Sequence, residues 1–331
     1  MTAAPRVAPR TFRLAPLLGS LPLATFLAAA RAQDPAASRP WQEPPGARAR
    51  IAEIAAFGEG LGLPPTSNFR TFEPSIGGIH ILYATPRFAL GRHYNDIYVT
   101  HGHDRAAIER AAEVFRRRGR EVRIETVEAV AEGGCPVTRA LLEDSPSRQA
   151  YVVLHENAHV ALRSDLRIEE PVADVIASIG SEAYFREAQG GISDSLRVCR
   201  EDRARNDRLF AFVEEVYEKL ASLYATLPED AEVRERLRRE ALEEARRSFA
   251  RQFDARECGF AAEDLNDALL TRLHTFAHHR PLAFAAAASF GQTDEAVATL
   301  IRLPTSEEHA ARILRALAAR GPALPSTPSA R

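Results

Sequence analysis

The 331-residue chain is poor in several features that define protein classes. Its three cysteines, Cys135, Cys199 and Cys258, are too few and too widely spaced for a disulfide framework or a zinc ribbon. One pair could bond in an oxidising compartment and leave one thiol over; buried or incidental cysteine is the simpler expectation. Lysine is nearly missing, with Lys219 alone among 43 basic residues, and the arginines gather into no single patch. Formal net charge is only -2, so no global field points to nucleic acid or an anionic lipid surface. No glycine-rich phosphate loop follows a strand, and GxSxG is absent, which removes support for a serine hydrolase. No internal repeat is evident.

Long apolar runs are also scarce, and the one present is N-terminal. Arg6, Arg10 and Arg13 precede an apolar run from Leu14 to Ala30, broken by Pro16 and Pro22. Ala30-Arg31-Ala32 then supplies a small-x-small cleavage pattern. Residues 1–32 read as a secretory signal peptide, which implies a periplasmic or extracellular protein. The alternative is an uncleaved membrane anchor, although the run is short for a bilayer. Residues 33–47 have no periodicity and read as a linker.

From residue 48 the pattern changes. Ile51, Ile54, Ala55, Phe57 and Leu61 make one side of a helix that stops at Gly62-Leu63-Pro64-Pro65. Ile79–Ala84, Asp96–Thr100 and Glu121–Thr126 read as strands. Between the last two, Asp104 caps a helix that Gly119 terminates. From residue 136 onward the chain reads as almost wholly helical. Leu209, Phe212, Val213, Val216, Tyr217, Leu220 and Leu223 repeat at helical spacing. Thr226 with Glu229 fits a capping box for the next helix. That helix alternates Arg and Glu as a solvated, ion-paired face does. Residues 321–331 read as a disordered Pro/Ser tail.

The chemistry concentrates in His155-Glu156-Asn157-Ala158-His159. On a helix, residues four apart share a face, so both imidazoles reach one metal ion and Glu156 lies beside it. Val152–Leu154 gives this helix an apolar entry. Two histidines and a glutamate buried there need a partner to offset their desolvation. Eleven positions after His159 comes Glu170, followed by Pro171 and Asp174. Proline suits a helix's first turn, so Glu170 is expected to open the next helix. Glu170 is then the third ligand of a His₂Glu zinc site, with one Zn²⁺ bound. Asp174, one turn on, is expected to accept the second N–H of His155. Glu169 is the rival ligand, or a group for a substrate α-amine. His101-Gly102-His103-Asp104 could suggest another metal site, but it also fits a strand-to-helix turn capped by Asp104.

His-Glu-Asn-Ala-His followed by Glu169-Glu170-x-x-Ala173-Asp174 resembles the gluzincin metallopeptidases. Arg48–Phe72, Tyr83–Phe88, the Ala106–Arg118 helix and Leu265–Leu270 resemble more specifically the predicted bacterial aminopeptidase family, which is exported or membrane-associated. The resemblance spans about residues 48 to 300. It implies a peptide or protein substrate, Glu156 as general base and aminopeptidase action. The family's stretch before the zinc helix is shortened here to about Ala129–Val137. Its late tyrosine is replaced near Phe276, which would leave Asn266, His274, His278 or His279 to polarise the scissile carbonyl.

The expected architecture is α+β and predominantly helical: a zincin-like domain at 48–303. A small mixed sheet lies in 48–135, before the HExxH helix, and a helical half follows in 136–303. A helix remnant and tail close the chain at 304–331. An edge strand near Ile124–Ala131 is expected to align a peptide by backbone pairing. Two other readings stay open: a non-catalytic zinc-binding relic, and an envelope scaffold in which HExxH is coincidental. Oligomeric state is not legible.

Overall fold

The computed structural model describes residues 41–130, 134–162, 166–188 and 193–322. The expected signal peptide, residues 33–40 of the expected linker and the tail from 323 lie outside the described residues. The chain divides into two compact units after Gln42; the elements below all belong to the second. No helix among the described residues is long and apolar enough to cross a membrane.

The unit begins with α1 (Ala47–Gly60) and reaches β1 (Phe72–Glu73) through a turn at Gly62, whose φ is 99°. A three-stranded sheet follows, from β2 (Ile79–Pro86), β3 (Tyr98–Gly102) and β4 (Arg120–Val127), in the order β3-β2-β4. Both pairings are antiparallel, and β4 is an edge strand. The expected mixed sheet is thus an antiparallel one. Parallel pairing is confined to Phe72–Glu73 of β1 against β5 (Val137–Thr138).

Helix α2 (Arg105–Arg117) starts where the Asp104 side chain accepts from Ala107 N and ends before Gly119, at φ 69°. Its Ile108 and Ala112 pack on Leu82 of β2. His101 and Gly102 belong to β3 and Asp104 caps α2, so this segment is the strand-to-helix turn.

The rest of the unit is helical: α3 (Arg139–Glu143), α4 (Pro146–Ala161), α5 (Leu166–Ala188), α6 (Asp194–Ala225), α7 (Ala231–Gln252), α8 (Ala255–Cys258), α9 (Asp267–Ala277), α10 (Arg280–Ala287), α11 (Thr293–Leu300) and α12 (Glu307–Ala318). The apolar stripe of α6 (Leu209, Phe212, Val213, Val216, Leu220) meets Leu242 and Phe249 of α7 and Leu269, Leu270 and Leu273 of α9. Each such side chain contributes roughly 1.5–3 kcal/mol when fully buried, so this cluster anchors the helical half.

Three expectations change here. The helix after α6 starts at Asp230, whose side chain accepts from Val233 N. Thr226 instead closes α6, and its hydroxyl donates back to Ser222 O and Leu223 O. The Arg/Glu face of α7 is not wholly solvated. Arg238 is buried, 2.6 Å from Glu121 Oε1 and 3.4 Å from Asp267 Oδ2, and ties α7 to the sheet. Finally, α12 is no remnant: it packs on α10 and α5 and buries Ala310, Leu314 and Leu317. The three cysteines are free thiols.

Candidate metal centre

Helix α4 starts with Ser145, whose hydroxyl accepts from Arg148 N, and Pro146 in the first turn, where its missing N–H costs nothing. Its middle is buried from Val152 to Ala158. Two glycines seat it. A Cβ on Gly58 of α1 or on Gly180 of α5 would lie 2.9 Å from a Leu154 methyl. Flanking helices therefore close on the residue just before His155, and a side chain at either glycine would displace the Leu154 side chain.

Helix α5 already runs from Leu166, so Glu170 lies inside it rather than opening it. Pro171 is accommodated because it forgoes only one bond, to the Arg167 carbonyl, close to the helix start. Glu170 faces α4 from this position. His155 Nε2 and His159 Nε2 are 3.1 Å apart. Glu170 Oε2 is 3.5 Å from the first and 3.4 Å from the second. Donors about 2.0–2.1 Å from a tetrahedral ion stand roughly 3.3–3.4 Å from one another. The triangle has the size of one face of such a coordination sphere.

The electrostatics suit a cation. Glu170 is held well below the usual carboxylate range: burial opposes its charge, but His159 and His155 outweigh it. His159 is held well above its ordinary value, with Glu170 and Glu169 overcoming burial. Glu156, on the same helix between the two histidines, is buried and lines the same cavity.

Each corner has a support behind it, and these supports differ from expectation. Glu169, the expected rival ligand, stands behind His159. Its Oε1 pairs with His159 Nδ1 at 2.8 Å, fixing the imidazole that turns Nε2 inward. Tyr94, in a short 3-10 turn before β3, donates its phenol to Glu170 Oε1 at 2.6 Å. Burial first, and the Glu170 charge second, raise the Tyr94 pKa, so the phenol keeps its proton. Asp174 does not serve His155. It accepts from Tyr151 Oη at 2.5 Å and from Arg280 Nε, and Arg280 also binds Asp207 of α6. Tyr151 in turn stacks on the His155 ring, 5.6 Å between centroids and 15° from parallel. His155 Nδ1 is buried without a hydrogen bond among the described residues.

The expected carbonyl-polarising group is also placed differently. Asn266 caps α9: Oδ1 accepts from Leu269 N and Nδ2 donates to Val122 O. His274 and His278 both turn to Glu214 of α6, and His279 to Glu307 of α12. None of the four lines the cavity that holds the histidine–glutamate triangle. From α9 it is Arg272, Leu273 and Phe276 that do. Phe276 lies 6.2 Å from His155, ring to ring, and the Arg272 guanidinium lies 4.1 Å over the Phe276 ring.

That cavity holds about 1030 Å³. Ile124–Val130, from edge strand β4 and the chain just after it, forms one wall; α4, α5, α6 and α9 form the other. Sequence reasoning missed Tyr94, Tyr151, Arg272 and Arg280. Tyr151 was findable, four residues before His155 on one helical face; Tyr94 carries no local signal.

A family model described as "Putative aminopeptidase" matches residues 101–312, more than half of the chain and every corner of the triangle. No curated protein and no solved structure matches the chain.

Proposed function

Because the chain belongs to the "Putative aminopeptidase" family, we propose that it is a zincin-like metallopeptidase that removes N-terminal residues from peptides, with one Zn²⁺ held by His155, His159 and Glu170. The observation that carries this reading is the 3.1–3.5 Å triangle of donors with Glu156 beside it on α4. Two imidazoles and a carboxylate are a donor set that Zn²⁺ takes, and all three residues line the cavity. When bound, the ion supplies Lewis acidity that brings water's pKa toward about 7.

The chain's own residues do the rest. The Glu156 carboxylate takes the proton of the attacking water and passes it to the leaving amine. Glu169, Tyr94 and the Tyr151–Asp174 pair keep the three ligands aimed, so little reorganisation accompanies the reaction. Edge strand β4 offers unpaired backbone groups along which an extended peptide can lie. Arg272 is the cationic donor for the carbonyl oxygen as it gains charge, a part the family resemblance had left to Asn266 or a histidine. The N-terminal segment further supports export of the mature enzyme.

The test is Glu156→Gln, assayed with a series of short peptides. The variant should keep its zinc and lose turnover by about 10²–10⁴-fold. Unchanged turnover would reduce the protein to a zinc-binding relic, and absence of stoichiometric zinc in the wild type would remove the metal altogether.

A further inference from the structure

A second set of donors lies outside the cavity. Helix α9 carries His274 and, at its C-terminal cap, His278; the two are four apart on one face. Both present Nδ1 to one carboxylate on α6: His274 to Glu214 Oε1 at 2.5 Å and His278 to Glu214 Oε2 at 3.1 Å. One donor atom from each of the three residues falls within 4.8 Å of the others. We propose that Glu214, His274 and His278 form a second binding site, for a divalent cation of the zinc class, which clamps α6 to α9.

The geometry is built rather than incidental. His274 is buried and its ring lies flat on Tyr217 of α6, 3.6 Å between centroids and 3° from parallel. Its Nδ1 is therefore held in place before any ion arrives. Glu214 is half-buried and turns one carboxylate oxygen to each histidine. His278 is exposed and gives a path from solvent. Two imidazole nitrogens with one carboxylate suit Zn²⁺, Co²⁺, Ni²⁺ or Cu²⁺ over Mg²⁺ or Ca²⁺, which take oxygen. His278 also belongs to a neighbouring group with His279 and Glu307, so the clamp borders α12.

The role is structural, because the site lacks what chemistry needs. The segment reads His274-Thr275-Phe276-Ala277-His278, with threonine where the α4 segment has Glu156. The Thr275 hydroxyl donates to Thr271 O and accepts from Tyr94 N, so no base stands beside the ligands.

The experiment is zinc stoichiometry of the full chain at fixed free Zn²⁺, with thermal melting alongside. Wild type should hold two equivalents. His278→Asn, at an exposed position, should hold one and keep the metal-free Tm. His155→Asn/His159→Asn should also hold one, and zinc should still raise its Tm; adding His278→Asn should abolish that rise. The proposal is overturned if His278→Asn leaves the zinc content unchanged, or if the His155/His159 double variant holds none. In the latter case Glu214 is only a hydrogen-bond partner of two histidines. If only the His155/His159 equivalent is missing from wild type, the failure lies in the peptidase reading.

Discussion

Two helices of this protein carry histidines four residues apart, and in both cases a glutamate from another helix faces them. On α4 the pair meets Glu170, and on α9 it meets Glu214. The residue types are the same, although the α4 histidines present Nε2 and the α9 histidines Nδ1, and the surroundings differ. The α4 triangle opens into a cavity of about 1030 Å³ with an edge strand opposite and Glu156 on the histidine helix. The α9 set packs against Tyr217, has Thr275 in the corresponding place and lines no part of that cavity. Both sets could hold a metal ion. Reactivity needs, in addition, a base at the right helical position and room for a substrate.

The largest effects should separate the two sets. Chelation, His155→Asn or Glu156→Gln should each lower peptidase turnover by about 10²–10⁴-fold, and zinc should restore only the chelated wild type. A comparable loss from His278→Asn would break the contrast, since it would bring the α9 set into the reaction.

Next in size are the supports behind the ligands. Glu169→Ala frees His159 Nδ1 and should weaken zinc binding at the α4 site by about 10–100-fold, measured by competition with a chromophoric chelator. Tyr94→Phe removes the bond to Glu170 Oε1 and should act in the same direction, more mildly. Full affinity in Glu169→Ala would mean that helix packing alone aims the imidazole.

Glu214→Gln should remove one zinc equivalent while kcat on a peptide substrate stays within about 3-fold, because α9 keeps its packing through Leu269, Leu270 and Leu273. Loss of activity with zinc retained at α4 would make the clamp a positioning device for Arg272 and Phe276.

The smallest effect concerns Asp144, next to Glu128 of the cavity wall. Burial, then the neighbouring Glu128 charge, push the Asp144 carboxyl up to about 7 from 3.8. A raised folded-state pKa gives stability that is complete below 3.8 and lost as pH rises through about 7. Asp144→Asn should therefore melt roughly 2 °C above wild type at pH 8.5, with no such advantage at pH 3. An equal Tm difference at both pH values would show that the substitution acts through packing instead.

Much was legible because it is local. The i, i+4 histidines, the Asp104 cap, the Gly119 stop and the existence of strands β2 and β4 each follow from a few consecutive residues. The Thr226 cap failed although it is local, because the next helix starts four residues later, where the Asp230 carboxylate accepts from Val233 N. Reading Pro171 as a first-turn proline put the start of α5 too late; proline is also tolerated one turn further in. Asp174 failed for a different reason: its partner, Arg280, comes from more than a hundred residues away.

By itself, the sequence determined which residues could serve one metal ion, since helical periodicity alone carries His155 and His159 to one face and sets Glu156 beside them. Tertiary structure decided everything that depends on what stands opposite. It turned Glu170 inward and Glu169 onto His159, brought Tyr94 and Arg272 to the cavity, and sent His274 and His278 away to Glu214. The physical reason is reach: a helix repeats every 3.6 residues and fixes neighbours one turn away, whereas a buried charge takes whichever distant partner the packing delivers.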